Sequence, residues 1–359
     1  GRPGTGVNPL RGQNNVQGAC DMGALPDVYS GYQKVSDPMV REKFSQTWGT
    51  TLPSAPGLMS THAIEAAVEG KVRGMLILGE NPILSDANQT QVRQALGNLD
   101  FLAVIDIFPT ETAQLADVIL PAACYAERDG TFTSTERRVQ RGRKAAAPPG
   151  QAQADWQIIC QLLQRCGLQS DYADPAEIMA EIASLTPSYA GISYDRLNDN
   201  GLQWPCPAAD HPGTPILHID KCTRGKARFS PVDYRPPAEL PDAEYPLLLN
   251  TGRSYFHWHT GSMTRRSHLL DREERSAFVE INPTDADKLG IAERQQIKIS
   301  SRRGSIHCAA QRTDKVPPGQ VFIPFHFAEG AANALTNNVL DPESGIPEFK
   351  VCAVRIELC

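Results

Sequence analysis

The segment from residue 251 to residue 266 reads TGRSYFHWHTGSMTRR and concentrates side chains that bind anions. Its three arginines offer planar donors, and its glycines and threonines can bring backbone N–H groups and hydroxyls close to a phosphate. His257 and His259 could also ligate zinc, but a zinc site needs three or four ligands and the segment holds no third His and no Cys. We therefore predict a loop over a phosphate-bearing cofactor rather than a metal site.

A second candidate is Arg11, which begins the polar loop Arg11-Gly12-Gln13-Asn14-Asn15. A guanidinium has the two-pronged geometry that suits a carboxylate or a phosphate. The alternative is an arginine that is merely solvated, because most arginines are exposed. Taken alone, the residue type and its polar neighbours favour the solvated arginine.

Asp106 ends an apolar run and is followed by Thr110-Glu111-Thr112. Its carboxylate could accept hydrogen bonds from the ring N–H and amino group of a purine, and the N-terminus of a following helix would favour anionic oxygens. Alternatively, Asp106 and the threonines simply cap that helix.

The loop Gly79 to Asn81 follows an earlier apolar run, so we expect both loops at the carboxyl edge of one sheet, where ligands bind in doubly wound folds.

Several common catalytic motifs are missing from the sequence. It has no GxxxxGK[ST] loop, no GxGxxG after a strand, no GxSxG elbow and no HExxH. The nine cysteines form no CxxC pair, so they lack the usual spacing of a zinc ribbon or an iron–sulfur cluster. We interpret them as free thiols in a reducing compartment.

Composition excludes two classes of partner. The 359 residues carry 35 Lys and Arg against 41 Asp and Glu, a net charge of -6, so no overall positive field would attract nucleic acid, although basic residues cluster at Arg137 to Lys144. Apolar runs such as Phe101 to Phe108 have the length of a strand, far below the roughly 20 residues that span a bilayer. We therefore expect no nucleic-acid binding and no direct membrane insertion.

The elements that would position these loops alternate between strand and helix over residues 61–144. The pattern predicts a helix at 62–70, a strand at 73–79, a helix at about 86–96 and a strand at 101–108. This order is typical of a Rossmann-like, doubly wound parallel sheet. Short helices near 38–48 are the only elements expected in the loop-rich residues 1–60.

The second half of the chain predicts a connecting region and a β-barrel. Residues 145–245 are rich in proline, with one clear helix from Asp155, its expected N-cap, to Cys166. Residues 246–359 contain six predicted strands, at about 247–250, 277–281, 295–300, 305–311, 321–327 and 350–357, with a turn at 302–304. One helix interrupts them, with Asn282 as its cap, Pro283 first and Gly290 at its end. The fold class is thus α/β followed by a small six-stranded barrel.

Seven ordered segments resemble the C-terminal half of the catalytic subunit of molybdenum- or tungsten-dependent formate dehydrogenases, in the dimethyl sulfoxide reductase superfamily. The resemblance extends over almost the whole chain. The segments are RGQNNVQGACDMGALPD (11–27), GENP (79–82), DIFPTETAQLADVILPA (106–122), ERDGTFTSTERRVQ (127–140), TGRSYFHWHTGSMTRRS (251–267), FHFAEGAANALT (325–336) and PEFKVCAVRIE (347–357).

This resemblance implies a bis-molybdopterin guanine dinucleotide (bis-MGD) cofactor with Mo or W, held between α/β domains and a C-terminal molybdopterin dinucleotide-binding barrel. Residues 1–60 would form the active-site segment that joins the α/β domains. Arg11 would orient formate, with Gln13 beside it, during the reversible oxidation of formate to CO2. The cofactor-binding residues implied are Asn81, Asp106, Arg128, Asp155, Thr251, Gly252, Arg253, His257, Trp258, His259, Thr260, Phe325, Asn333 and Lys350.

The sequence departs from the family in having no counterpart to the metal-ligating Cys or Sec or to the iron–sulfur cysteines, which the family carries in its N-terminal half. We therefore expect a split-gene product or partial chain that works with an N-terminal half and an iron–sulfur electron-transfer subunit, in the cytoplasm or the periplasm. One alternative is a nitrate reductase or another oxidoreductase of the superfamily, because the HWHTGSMTRR loop is also similar there. A second alternative is a non-catalytic module that keeps the cofactor-binding fold.

Overall fold

The computed structural model describes residues 7–219, 222 and 225–359. The helices in this part of the chain are α1 (Val16–Asp21), α2 (Pro38–Trp48), α3 (Ser60–Val68), α4 (Pro82–Ser85), α5 (Gln89–Gly97), α6 (Asp155–Arg165), α7 (Pro175–Leu185), α8 (His268–Glu273) and α9 (Pro283–Leu289). The strands are β1 (Val28–Tyr29), β2 (Gln33–Lys34), β3 (Gly74–Leu78), β4 (Phe101–Asp106), β5 (Val118–Pro121), β6 (Gly130–Thr133), β7 (Arg138–Gly142), β8 (Leu202–Gln203), β9 (Leu247–Gly252), β10 (Phe278–Ile281), β11 (Gln296–Ser300), β12 (Ser305–Arg312), β13 (Gln320–Pro324) and β14 (Cys352–Leu358).

Contacts divide the chain into two units, which we call unit 1 (residues 1–59 and 121–232) and unit 2 (residues 60–120 and 233–359). Unit 1 contains the β1–β2 hairpin, the antiparallel sheet β6-β7-β8 and the helices α1, α2, α6 and α7. Its apolar core includes Val139, Met179, Tyr189, Ile192 and Leu197. This core ties α7 to the sheet.

The α/β part of unit 2 is a three-stranded sheet in the order β3-β4-β5, with β3 and β4 parallel. Side chains alternate across a strand, so Leu102 and Val104 point to the face that α3 and α5 cover with Ile64, Val92 and Leu96. The parallel strands place Gly79 and Asp106 at the same edge. The predicted α/β region is thereby confirmed.

The barrel of unit 2 closes in the order β10-β12-β11-β14-β9-β13. In β9 and β10 buried residues alternate with partly exposed ones, and buried side chains such as Leu249, Val279 and Ile297 fill the interior. The helix α9 begins and ends as predicted. Asn282 Oδ1 accepts the backbone N–H of Thr284 at 3.0 Å, and Gly290 ends the helix with a φ of 68°.

Several boundaries differ from the prediction; for example, the strand expected at 101–108 ends at Asp106. The helix expected from Asp86 begins at Gln89, because Pro82 starts the separate short helix α4 and Asn88 has a left-handed φ of 53°. The helix expected after Asp106 is only a 3-10 turn at Ala113–Leu115. The strand expected at 321–327 ends at Pro324, and the last strand begins at Cys352 rather than at residue 350.

The prediction that Asp155 caps α6 is also wrong. The residue before the helix is Ala154, which has the extended ψ of 140° expected of an N-cap, and Asp155 is the first helical residue. Gln157 Oε1 accepts the backbone N–H of Ala154 at 3.3 Å and so supports this end of the helix. Within the described part of the chain, no helix has both the length and the apolar character needed to cross a membrane.

Candidate functional site

The sheet edge of unit 2, formed by the loops after β3 and β4, carries Asn81 and Asp106. The buried amide of Asn81 joins the two loops, because its Oδ1 accepts from the Thr112 hydroxyl at 2.7 Å and its Nδ2 donates to Glu111 at 2.8 Å. Asp106 Oδ1 accepts the backbone N–H of Phe108 at 3.1 Å. The side chain of Asn81 thus braces the edge, and Asp106 occupies the place from which a carboxylate can face a ligand.

This edge is rich in carboxylates. Partial desolvation raises the pKa of Asp106, of Asp86 and of Glu80, and the neighbouring charges of Asp86 and Asp106 raise the pKa of Glu80 further. Arg266 lies close enough to Asp106 to lower its pKa, but this effect is smaller than that of desolvation. Such an edge favours a ligand that brings hydrogen-bond donors.

The end of β9 and the loop after it form a second, basic region of unit 2. Arg253 stacks on the ring of Phe325 at 5.4 Å, and Lys350 Nζ lies 5.8 Å from the same ring. Burial and the charge of Arg253 lower the pKa of Lys350 and of His259. Within the described part of the chain, no carboxylate pairs with Arg253 or Lys350, so the region carries uncompensated positive charge.

The backbone at Thr251 and Gly252, next to these side chains, packs closely against neighbouring residues. Thr251 is buried, with its hydroxyl donating to the carbonyl of Phe349 at 2.7 Å, and Lys350 Nζ donates to the carbonyl of Thr251 at 3.1 Å. A Cβ on Gly252 would lie 2.5 Å from the ring of Phe322, so this position requires glycine. These contacts fix Arg253 and Lys350 side by side.

His257 is built into the protein and is not free for a ligand. Its Nε2 lies 2.6 Å from the carbonyl of Glu274 and its Nδ1 lies 3.2 Å from the Thr264 hydroxyl. Among the residues that the structure describes, no group of three His, Cys, Asp or Glu side chains could hold a metal ion. The geometry thus gives a metal site at His257 and His259 no support.

The remaining loop residues link the basic region to the acidic edge. Ser262 Oγ accepts from Asn81 Nδ2 at 3.5 Å and lies 3.0 Å from the Thr260 hydroxyl, while Arg266 stacks over the ring of Phe108 at 4.5 Å. Trp258, about half exposed, lies between the two histidines in sequence. The acidic edge and the basic region therefore adjoin within unit 2.

Asn333 is buried and occupied by the protein itself. Its Nδ2 donates to the carbonyls of Leu84 at 2.8 Å and Ser85 at 3.1 Å, so it fastens α4 to the barrel. Both amide hydrogens are consumed by these two bonds. Any effect of Asn333 on a ligand would pass through α4.

In unit 1, Arg11 and Gln13 lie exposed in the loop that leads into α1. The loop ends at Asn15, which has a left-handed φ of 60° and whose Oδ1 accepts the backbone N–H of Thr133 at 2.9 Å. A Cβ on Gly18 would lie 2.1 Å from Asn15 Oδ1, so glycine is needed there. The loop is therefore fixed at its C-terminal end.

The helix α1 is in turn held by a buried carboxylate, Asp21, which is 1% exposed. Gln17 and Tyr32 donate to its Oδ1 at 2.7 and 2.9 Å, and Tyr189 and Trp204 donate to its Oδ2, both at 2.7 Å. Burial and the charge of Asp21 raise the pKa of both tyrosines, so they remain donors. We call this group the Asp21 hub.

Arg128 and Asp155 also meet in unit 1, with Nη2 and Oδ2 3.8 Å apart. The Nε of Arg128 is buried and has no hydrogen-bond partner among the described residues. An unsatisfied donor of this kind is uncommon in proteins and is a place where a ligand oxygen could bind.

Two residues near the basic region were missed from the sequence. His326 is fully buried and contacts the backbone of Ser254 and His259, and the Ser254 hydroxyl is buried without a partner in the described part of the chain. The segment FHFAEGAANALT indicates this place, but the site residues it predicts are Phe325 and Asn333 and not His326. The buried histidine could have been noticed as a polar residue inside an apolar strand end.

Two protein-family models match this chain, and together they cover most of the regions described above. Residues 1–165 match the family model described as "Molybdopterin oxidoreductase", and residues 247–353 match the "Molydopterin dinucleotide binding domain". The second match covers most of the barrel, together with the basic region. The chain belongs to the molybdopterin oxidoreductase family. The predicted family and the predicted dinucleotide-binding barrel are confirmed.

Several similar curated relatives are named formate dehydrogenases. The chain is 52% identical over 361 residues to the F420-dependent formate dehydrogenase subunit alpha of Methanocaldococcus jannaschii, a match that covers 99% of this chain and 53% of the relative. It is 40% identical to formate dehydrogenase H of Escherichia coli, covering 99% and 51%. The chain thus spans about half the length of the curated relatives it matches.

Among solved structures, acetylene hydratase from Pelobacter acetylenicus matches 89% of this chain and 50% of that protein, with a TM-score of 0.63. At 18% identity this match shows the shared fold alone.

Proposed function

We propose that this chain is the part of a formate dehydrogenase catalytic subunit that holds a bis-MGD cofactor, with Mo or W, and binds formate. The reaction would be HCOO⁻ → CO2 + H⁺ + 2e⁻, run in either direction. One observation carries the proposal: Arg253 and Lys350 lie together on the barrel, with no carboxylate partner among the residues that the structure describes, next to an edge rich in carboxylates. The names of the relatives supply the substrate.

The donor set of the basic region fits the phosphates of a pterin dinucleotide. Arg253 and Lys350 offer charged donors, and Ser254, which follows Arg253 in the chain, adds a hydroxyl that has no partner among the described residues. An anion there would raise the pKa of His259, which burial and Arg253 now lower, and so make its ring a further donor. Thr251, Gly252, His257, Thr260 and Phe325 would hold these groups in place, and Trp258 would offer a face for stacking.

The acidic edge fits the guanine end of such a cofactor. Guanine presents a ring N–H and an amino group, and the carboxylate of Asp106 can accept both. Asn81 would brace this edge and Asn333 would hold α4 beneath it. The neighbouring Asp86 and Glu80 add acceptors and discourage a base that presents acceptors of its own.

In unit 1, Arg11 would bind the formate carboxylate in a two-pronged contact and Gln13 would donate beside it. Arg128, with its unpaired Nε, and Asp155 would contact the nucleotide arms. When bound, the cofactor supplies the two-electron redox chemistry. We further propose that the metal ligand and an iron–sulfur cluster come from an N-terminal half, and that an iron–sulfur subunit carries the electrons away.

The free cysteines support a reducing compartment, and we propose the cytoplasm. All nine are unpaired in the structure, and four of them are buried.

The test is a native preparation of the complex that contains this chain. Metal analysis and acid release of GMP measure the cofactor, and turnover of formate and of nitrate with an artificial electron acceptor identifies the substrate. We expect Mo or W, about two GMP per chain, and turnover of formate only. Arg11→Lys should lower formate turnover by at least about 100-fold while GMP stays unchanged, because lysine cannot form the two-pronged contact. A preparation without metal and GMP, or one that turns over nitrate instead, contradicts the proposal.

A further inference from the structure

His326 lies two residues beyond the end of β13 and is 0% exposed. Its Nε2 accepts the backbone N–H of Ser254 at 2.8 Å, and its Nδ1 bonds to the backbone carbonyl of His259. A backbone N–H can only donate and a carbonyl can only accept. The two contacts therefore require a neutral ring with its proton on Nδ1.

The segment that this ring spans is strained. His259 has a left-handed φ of 48°, which a residue with a Cβ adopts only when its surroundings impose it. Two residues later, Gly261 has a φ of 75°, and a Cβ there would lie 2.5 Å from the carbonyl oxygen of His326. The His326 ring thus bonds the carbonyl of the strained residue, and its backbone closes on the turn that follows.

Both ends of the spanned segment carry groups that face the basic region. Ser254 directly follows Arg253, and His259 supplies its own ring, which packs edge-on to Phe325 with centroids 5.9 Å apart. Phe325, the residue before His326, is the ring on which Arg253 stacks. One buried ring therefore fixes the spacing of Arg253 and His259.

We propose that His326 is a positioning residue, a neutral imidazole of fixed tautomer that bridges Ser254 and His259 and presents Arg253 and His259 to the same phosphate group. This rests on the proposed function, since it assumes that the basic region binds the cofactor. Because His326 is fully buried, its own ring would not contact the phosphate. Its role is to hold closed a segment that would otherwise relax.

The charges around His326 agree with a ring that stays neutral. Burial, together with the nearby Arg253, His257 and His259, lowers its pKa to about 4, even though the His259 carbonyl acts in the opposite direction. A protonated ring would lose the acceptor for the Ser254 N–H.

The test compares His326→Phe with His326→Gln in the native complex. Phenylalanine keeps the ring volume and removes both hydrogen bonds, whereas glutamine can both accept and donate. We expect the His326→Phe complex to release its cofactor, measured as GMP, at least about tenfold faster than the wild type on dilution. Chymotrypsin should also cut this variant at least about tenfold faster after Tyr255 or Trp258. His326→Gln should stay within about threefold of the wild type.

Thermal melting checks that both variants fold, and His326→Gln keeps the test decisive if His326→Phe does not. A His326→Phe complex that matches the wild type in GMP loss and in cleavage overturns the proposal, because packing alone would then suffice. A folded His326→Gln complex that loses GMP at least about tenfold faster than the wild type also overturns it. A wild-type complex without GMP overturns the proposed function instead, so the two failures are distinguishable.

Discussion

The loop at residues 11–15 in unit 1 and the loop at residues 251–266 in unit 2 are both held in a strained conformation, but by different kinds of contact. Each contains a non-glycine residue with left-handed backbone, Asn15 or His259, and each is secured by one fully buried polar side chain. Asp21 secures the first loop through α1 and gathers donors from other elements of unit 1. His326 secures the second loop by bonding twice to that loop's own backbone.

The difference suggests separate roles: Asp21 stabilises the fold of unit 1, whereas His326 positions the side chains of one loop. A buried charge with four donors is expensive to disturb, because removing it leaves every donor unsatisfied. Among the described residues, His326 bonds only to the backbone of a single loop, so replacing its neutral ring should have little effect on the packing of the core. We therefore expect damage to the Asp21 hub to unfold unit 1, and damage at His326 to loosen a single loop.

Asp21→Ala tests the first half of this comparison with the largest expected effect. It leaves the donors of Gln17, Tyr32, Tyr189 and Trp204 without an acceptor, so we expect a loss of about 3–5 kcal/mol in the free energy of unfolding. Urea unfolding measures it. Tyr32→Phe is the matched control, since it removes one partly buried donor and should cost only about 1 kcal/mol. Equal costs for the two variants would mean that the hub does not act as a unit.

Lowering the pH tests the neutral ring. His326 has a pKa of about 4 in the folded protein against about 6.5 when unfolded, so the unfolded chain binds more protons between these values. The free energy of unfolding should therefore fall by about 3 kcal/mol from this residue as the pH drops from 6.5 to 4. The measurement is the urea midpoint of the wild type against His326→Gln. Glutamine does not titrate in this range, so the midpoint of the wild type must fall relative to that of His326→Gln as the pH drops, and a difference that stays constant contradicts the neutral ring.

Gly18→Ala sharpens the comparison within the first loop. The new Cβ would meet Asn15 Oδ1 at 2.1 Å and force the strained turn to move, at a cost of about 1–3 kcal/mol. Gly12→Ala in the same loop is the control, because a Cβ there meets nothing within 4 Å and should change stability by less than about 0.5 kcal/mol. Formate turnover should fall in the first variant only.

Asn282→Ala gives the smallest effect and separates barrel stability from loop positioning. Losing the cap of α9 should cost about 1 kcal/mol in urea unfolding. Because α9 lies outside both loops, GMP retention should not change. If this variant releases GMP as readily as His326→Phe, the general stability of the barrel, and not the two hydrogen bonds of His326, controls the retention of GMP.

The sequence predicted regular elements well where local rules act alone. The cap at Asn282, the proline after it and Gly290 specify α9 without help from the rest of the chain, and the alternating strands predict the barrel. Asp155 was placed one position wrong, because Gln157 bonds to the backbone of Ala154 and no local signal separates these two ways of starting a helix.

The site was predictable only in part. Sequence motifs indicated the loop at 251–266, but not which of its histidines are buried: His257 is fixed to Glu274 and Thr264, whereas the ring of His259 lies beside Phe325. The roles of His326 and Asp21 depend on partners more than 60 residues away in the chain, such as Ser254 for His326 and Trp204 for Asp21. Spacing within a sequence carries no information on such contacts.

The most direct test of the account is a calorimetric titration of the purified chain with GDP and with ADP, each standing for one nucleotide arm of the cofactor. We expect GDP to bind at least about tenfold more tightly than ADP, Asp106→Asn to remove this preference, and Arg253→Gln to weaken the binding of both nucleotides. Equal affinity for GDP and ADP, or a preference that survives Asp106→Asn, would contradict the claim that the acidic edge of unit 2 reads the base while the basic region holds the phosphates.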